Sequence, residues 1–275
     1  MNMLVNGVPG SCIDCADRGL QYGDGLFETI AFKAGKLLLW KAHMSRLQQG
    51  CERLNIPVVA EDQWIDDIRK IAVIHDSAVI KLIITRGSGS RGYAIPCNPE
   101  PTRIVAAYPW PKHSTDVLDK GIKVQICKTQ ITVNPSLAGL KHLNRLDNVM
   151  ARSEWKDESI AEGLMLDNQG YVIEGTMTNL FAIQNDSIVT PKLNRCGING
   201  VVRTAIIELA RNRGFQIKEM NMTKADLLKM DEVFVCNSII GIWPVTEIDG
   251  HSYSVGLMTK LIMNYLDMQS DSHEL

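Results

Sequence analysis

"LFETIAFKAGKLLLWKAHMSRLQQGCERL", residues 26–54, decides the class of fold. Its first ten residues read as a strand that ends at Ala34-Gly35, and the apolar run restarts at once in "KLLLW", which predicts a hairpin. From Trp40 the period changes. Trp40, Met44, Leu47, Cys51 and Leu54 recur at three- and four-residue steps, which predicts a helix over 40–54. A hairpin that runs straight into a helix is not the βα repeat of a doubly wound sheet.

The rest of the chain has the same mixed character. "MLVNG" reads as an early strand, 61–74 as a second helix, and "AVIKLIITRG", apolar on both faces, as a strand central to a sheet. "YPWPKHSTD", 108–116, is the linker candidate, because its prolines interrupt regular structure. It divides the chain into a smaller α/β domain over 1–112 and a larger one over 113–275. In the second part, "GIKVQIC" predicts a strand, followed by a helix to about Lys156. "GLMLDNQGYVIEGT" and "NLFAIQNDSIVTP" predict two hairpins. "GINGVVRTAIIELARNRG" predicts a helix buried through Val202, Ala205, Ile206, Leu209 and Ala210 and closed by Gly214. Thr223 to Asp226 predicts a capping box, "EVFVCNS" a strand, and 255–267 a closing helix. The expected class is α+β in two domains, with a ligand in the cleft between them.

Composition narrows the function. The chain has 275 residues, 45% apolar and 22% charged, with a formal net charge of −2, so no broad basic surface invites nucleic acid or an anionic membrane. No secretory signal is read at the N-terminus, and no apolar run approaches the ~20 residues of a membrane helix. Seven scattered cysteines fit reduced thiols in the cytoplasm. Cys12 and Cys15 form a C-x-x-C pair, but no second pair or histidine pair follows at zinc spacing, so no metal is expected.

Several residues are candidates for chemistry, each with an ordinary alternative. Lys141 follows the small, uncharged run Leu137-Ala138-Gly139-Leu140. It is either a solvated lysine at a loop-to-helix junction or an amine made nucleophilic by partial burial. Glu174, in strand-like "YVIEGT", is either solvent-facing or set among the donors Thr176, Thr178 and Asn179. "GINGVVR" opens a helix without an acidic residue in its first turn, so the N–H groups of Val201 and Val202 form a local anion site or merely a glycine-assisted start. Arg46, three residues after His43, is either an ordinary exposed helix arginine or a functional cation. "TRGSGSRGY", 85–93, carries Arg86, Arg91 and Tyr93 on a loop that is either merely flexible or suited to bidentate carboxylate capture.

Together these segments resemble the fold-type IV pyridoxal-phosphate enzymes, the class IV aminotransferase group that contains D-amino-acid and branched-chain aminotransferases and aminodeoxychorismate lyases. "DRGLQYGDGLFET", "HMSRL", "TRGSGSRGY", "GLKHLNRLDNV", "YVIEGTMTNLF", "GINGVVR" and "PVTEIDG" stand in the family's order over nearly the whole chain. Within the group, "RGSGSRGY" and "LAGLKHLNRLDNV" are most similar to the bacterial lyases, and D-amino-acid enzymes more often carry Trp where His142 stands.

The resemblance implies roles. Lys141 would hold pyridoxal 5'-phosphate as a Schiff base and move protons. Arg46, the N–H groups of Val201 and Val202, and Ser238 would bind the phosphate; family members often have Thr or Ala near position 238. Glu174 would keep the pyridine nitrogen protonated, and Arg91 and Tyr93 would meet a substrate carboxylate. The implied reaction converts 4-amino-4-deoxychorismate to 4-aminobenzoate and pyruvate, in folate synthesis, by a cytoplasmic homodimer. Transamination of D- or branched-chain amino acids, a non-catalytic cofactor-binding homologue and a cofactor-free lysine lyase are the alternatives.

Overall fold

A computed structural model describes residues 2–10, 12–72, 76–112, 116–268 and 272–275. In chain order its elements are β1 (Asn2–Val5), β2 (Val8–Pro9), α1 (Arg18–Tyr22), β3 (Gly25–Lys33), β4 (Lys36–Leu38), α2 (Trp40–Leu54), α3 (Glu61–Ala72), β5 (Ser77–Thr85) and β6 (Thr102–Pro109). Then follow α4 (Val117–Lys120), β7 (Ile122–Ile126), α5 (Leu146–Arg152), β8 (Ile160–Leu166), β9 (Val172–Gly175), β10 (Asn179–Gln184) and β11 (Ser187–Pro191). The last are α6 (Val201–Asn212), β12 (Ile217–Met220), α7 (Lys224–Leu227), β13 (Glu232–Asn237), β14 (Gly241–Ile248), β15 (His251–Ser252), α8 (Leu257–Met268) and β16 (Ser272–Glu274). The mixture is α+β, as expected. Two compact units result: Met1–Pro111 with Leu140–Asn144 and Asp271–Leu275, and Lys112–Gly139 with Arg145–Ser270.

The first unit is built on a seven-stranded sheet in the order β16-β4-β3-β5-β6-β1-β2. The expected hairpin is present: Phe32 pairs with Leu37 and Lys33 with Lys36. Its two-residue loop places Ala34 at φ 47° and Gly35 at φ 76°, the pair of left-handed residues that matches strand twist. β5 lies between β3 and β6, with Ile80, Leu82 and Ile84 buried, so the doubly apolar run is central. The linker reading needs correction at its start. Tyr108 and Pro109 finish β6 opposite Val79 and Ala78, where a proline is tolerated because it ends the ladder. Residues 113–115 of that stretch lie outside the described residues, as do 73 and 74 of the predicted second helix.

Helix α2 has its predicted bounds but a shifted face. His43 and Gly50 join Trp40, Leu47 and Cys51 in the interior, whereas Met44 and Leu54 are only half-buried.

The second unit is a nine-stranded sheet in the order β12-β11-β10-β13-β14-β7-β8-β9, with β15 on β14. Val124, Leu164, Leu180, Val233, Val235 and Val245 lie in its main apolar core. Asn185 and Asp186 take φ 48° and 60° and close the β10–β11 hairpin. The helix expected to reach Lys156 stops at Arg152, and the backbone beyond it bends so that Trp155 donates to the Ile160 carbonyl at 2.9 Å. α6 ends before Gly214, which is left-handed at φ 76°. The Thr223–Asp226 capping box is present at α7. α8 starts where Glu232 accepts the Thr259 N–H at 2.8 Å.

Candidate active site

In the first unit the chemistry gathers on β3 and α2. Side chains alternate along a strand, so Leu26, Glu28 and Ile30 share the buried face of β3. A carboxylate in that row needs partners. It finds Nδ1 of His43 at 2.6 Å and the guanidinium of Arg46, whose Nε–H donates to Oε1 at 2.8 Å and whose Nη2 donates to Oε2. His43 and Arg46 are three apart on α2 and so project together. Burial pushes the Glu28 carboxyl up, but the charge of Arg46 and the hydrogen bonds from His43 and Arg46 outweigh it and hold the pKa at about 2. Burial drives His43 the other way, below its ordinary 6.5, helped by the charges of Arg46 and Lys141 and opposed by Glu28. The neutral imidazole therefore donates a hydrogen bond from Nδ1 to Glu28, and its buried Nε2 has no hydrogen-bond partner among the described residues.

Residues 140–143 lie along the start of β3. The Phe27 N–H donates to the Lys141 carbonyl at 3.0 Å, the Leu143 N–H donates to the Gly25 carbonyl at 3.0 Å, and Leu26 and His142 form an antiparallel bridge. Both ends of the lysine's backbone neighbourhood are thus fixed to the strand that bears Glu28. The half-buried side chain of Lys141 places Nζ 4.4 Å from the centre of the Phe27 ring, a cation–π contact. That is not the setting of a freely solvated lysine.

The arginine-bearing loop divides in two. Arg86 is buried and turned inward: it pairs with Asp24 at 2.7 Å and donates to the carbonyls of Leu54 and Asn55 at 2.7 and 2.6 Å. It closes the end of α2. Arg91 and Tyr93 are exposed, Tyr93 by 85%.

In the second unit Glu174 lies on buried β9, and its Oε2 accepts the Ile198 N–H at 2.8 Å and an Asn179 Nδ2 proton at 3.4 Å. Asn179 also donates to the Ile198 carbonyl at 2.9 Å, so it ties Glu174 to the loop before α6. The solvent-facing alternative for Glu174 is excluded. That loop turns at Gly197, φ 86°, and pairs with Gly139, itself at φ 81°: the Gly139 N–H donates to the Gly197 carbonyl at 2.8 Å, and the Asn199 N–H to the Gly139 carbonyl at 3.1 Å. Gly139 is thus required by the backbone. Gly200 caps α6 with no side-chain acceptor, and the first turn holds no acidic residue, so the amides of Val201 and Val202 start a helix dipole without a built-in counter-charge. Ser238 begins the β13–β14 turn, two residues beyond Cys236, which pairs with Asn179.

Three contributors are absent from the expected site set. Glu28 had a sequence signal, a lone acid in phase with apolar Leu26 and Ile30. Arg145, before α5, feels the charges of Glu174 and Asp147, while burial lowers its pKa. Glu162 accepts from both Thr176 N–H and Oγ1, at 3.1 and 2.6 Å, and from Thr178 Oγ1 at 2.9 Å, and so orders the turn after Glu174. Neither has a signature separable from an ordinary charged residue.

Known proteins are similar to this chain over most of its length. The amino-transferase class IV family profile matches residues 25–248. An aminodeoxychorismate lyase of Vibrio harveyi is 34% identical over 96% of this chain and 98% of its own. The crystal structure of 4-amino-4-deoxychorismate lyase from Pseudomonas aeruginosa superposes with a TM-score of 0.93 and 42% identity, over 97% of this chain and 98% of that one. A branched-chain amino acid aminotransferase from Escherichia coli superposes at 0.84 with 26% identity, over 97% of this chain and 93% of that one. With a family match across most of its length and relatives above 30% identity over nearly all of it, the chain belongs to the class IV amino-transferase family.

Proposed function

We propose that this protein is a pyridoxal-phosphate-dependent lyase that converts 4-amino-4-deoxychorismate to 4-aminobenzoate and pyruvate. The observation that carries this reading is full-length likeness to the Pseudomonas aeruginosa lyase, closer in identity and superposition than to the aminotransferase.

The residues present fit the cofactor. A buried acceptor, Glu174, suits a protonated ring nitrogen, and the uncapped α6 terminus suits a phosphate. Gly200 leaves the loop no side chain where a methyl would run into Asn179 Oδ1. In this reading Lys141 bonds the cofactor, the Val201 and Val202 amides with Arg46 and Ser238 hold its phosphate, and Glu174 faces its ring nitrogen. When bound, pyridoxal 5'-phosphate supplies an electrophilic carbon for the substrate amine and a ring that takes up electron density from a broken C–H bond.

The chain's own groups do the rest. Glu28 fixes the direction of the Arg46 guanidinium, so the cation is oriented before any anion arrives. Arg91 and Tyr93 hold the substrate carboxylate. Lys141 Nζ would take the proton from the substrate carbon that bears nitrogen. The bond from the neighbouring carbon to the enolpyruvyl oxygen then breaks, the ring becomes aromatic, and the enol tautomerises to pyruvate.

The reading extends to a homodimer in the cytoplasm, serving folate synthesis, with no nucleic-acid or membrane partner. Among the described residues no helix is long and apolar enough to cross a membrane. The division into a smaller domain over 1–112 and a larger one over 113–275 is retained as the proposed domain organisation, with residues 140–144 and 271–275 returning to the first unit. Incubation of the holoenzyme with 4-amino-4-deoxychorismate is expected to release 4-aminobenzoate and pyruvate in equal amounts. No 4-aminobenzoate, together with amino transfer from D-alanine or an L-branched-chain amino acid, overturns the lyase in favour of the aminotransferase.

A further inference from the structure

Arg18, on α1, is buried although it lies far from Lys141 in sequence. Its Nε–H donates to Asp24 Oδ2 at 2.9 Å. The remaining fork converges on three successive carbonyls: Nη1 donates to Gly92 and Ala94 at 3.0 and 3.3 Å, and Nη2 to Tyr93 at 3.3 Å. Asp24 is itself shared with Arg86, which is anchored at the end of α2. Two arginines beside Asp24 hold its carboxyl below the usual range against the upward push of burial.

The loop is gripped from a second side. Tyr22, from the end of α1, meets Tyr93 edge-on with ring centres 5.4 Å apart, and its hydroxyl accepts the Gly92 N–H at 3.3 Å. The Arg18 guanidinium lies 5.0 Å from the centre of the same Tyr22 ring. Three consecutive carbonyls can face one cation only if the chain curls, and Gly92, at φ 103°, allows that curl. A planar fork with five donors reaches all three, which an ammonium does not.

We propose that Arg18 is a positioning residue for the loop bearing Arg91 and Tyr93, and so sets affinity for the substrate carboxylate. This rests on the proposed role of that loop in substrate binding. Arg18 itself has no role at the reacting atoms. The rigid path from α2 through Arg86, Asp24 and Arg18 fixes the loop's carbonyls, and with them the places of Arg91 and Tyr93.

Two readouts on the holoenzyme of Arg18→Lys, Arg18→Ala and Tyr22→Phe test it. The first is the rate of tryptic cleavage after Arg91, followed by mass spectrometry, and it does not depend on turnover. The second is the split between KM and kcat for 4-amino-4-deoxychorismate. Loss of charge-assisted hydrogen bonds predicts cleavage about tenfold faster in Arg18→Ala, less in Arg18→Lys and least in Tyr22→Phe. The same order is expected in KM, raised about tenfold in Arg18→Ala with kcat within about threefold of wild type. Unchanged cleavage in all three variants overturns the positioning role. Faster cleavage with unchanged KM leaves Arg18 as the loop's anchor but overturns both its effect on affinity and the substrate role of Arg91 and Tyr93. A fall in kcat alone also overturns the proposal. If Arg18→Ala fails to fold, Arg18→Lys and Tyr22→Phe carry the comparison.

Discussion

Glu28 of β3 and Arg46 of α2 form a two-point ion pair whose acidic half is almost wholly buried. His43 bonds the same carboxylate, so an acid, an imidazole and a guanidinium meet between β3 and α2.

Acid should remove stability in two windows. His43 is held below 6.5, first by burial, so below that pH the unfolded chain binds its proton more readily and stability falls as pH drops toward the lower folded value. Glu28 falls from an ordinary 4.5 to about 2, a stabilisation of about 3 kcal/mol present above 4.5 and lost as pH falls through 2. Urea midpoints across pH should show both declines. His43→Asn should flatten the first and Glu28→Gln the second. Unaltered slopes in those variants would assign acid sensitivity elsewhere.

Glu28→Gln should also destabilise the protein at neutral pH. It leaves the Arg46 charge facing an amide in a largely buried place, and breaking such a pair costs roughly 3–5 kcal/mol. Cofactor affinity should fall with it, because Arg46 loses its fixed direction. Equilibrium unfolding and cofactor titration check the two effects separately.

Glu174→Gln keeps the shape of β9 and an oxygen for the Ile198 amide but removes the negative charge. Turnover should drop roughly a hundredfold or more, as for loss of a preorganised electrostatic group, while thermal stability changes little. A variant with ordinary kcat would remove Glu174 from the proposed site.

Gly200→Ala places a methyl against Asn179 Oδ1. Asn179 must then release Glu174 or Ile198, and the overpacking should cost about 1–3 kcal/mol. The cofactor should bind more weakly at the α6 terminus. A melting curve with and without pyridoxal phosphate measures both.

Lys141→Ala should abolish turnover and the near-violet absorption of the lysine-bound cofactor, yet leave the fold intact, since the 140–143 segment is held to β3 through its backbone. Retained absorption in this variant would place the bonding amine elsewhere.

Much of this was legible in the sequence because local rules dominate there. α2 and α6 follow from apolar spacing, the Ala34-Gly35 turn from a short break between strands, and the Thr223 box from side-chain capping. What was not legible depends on distant partners. α1 has five residues, too few to show a period. β16 exists because Ser272–Glu274 finds β4, a pairing across more than two hundred residues. On α2, His43 rather than Met44 lies in the interior, because Glu28 makes the burial of an imidazole tolerable, which apolar spacing alone does not reveal. Glu174 and the glycine loop were legible as candidates. That Asn179 fastens one to the other was not, because nothing local distinguishes it from a turn asparagine.

The pairing of β16 with β4 also sets an order on synthesis. The seven-stranded sheet draws its first strand from residues 2–5 and an edge strand from 272–274. At ribosomal speeds of roughly 5–20 residues per second, the flank of β4 stands uncovered for roughly ten to thirty seconds after the rest of its sheet has emerged. During that interval a neighbouring nascent chain could pair with it instead. Residues 272–274 are thus a seal on an edge that would otherwise be open to self-association.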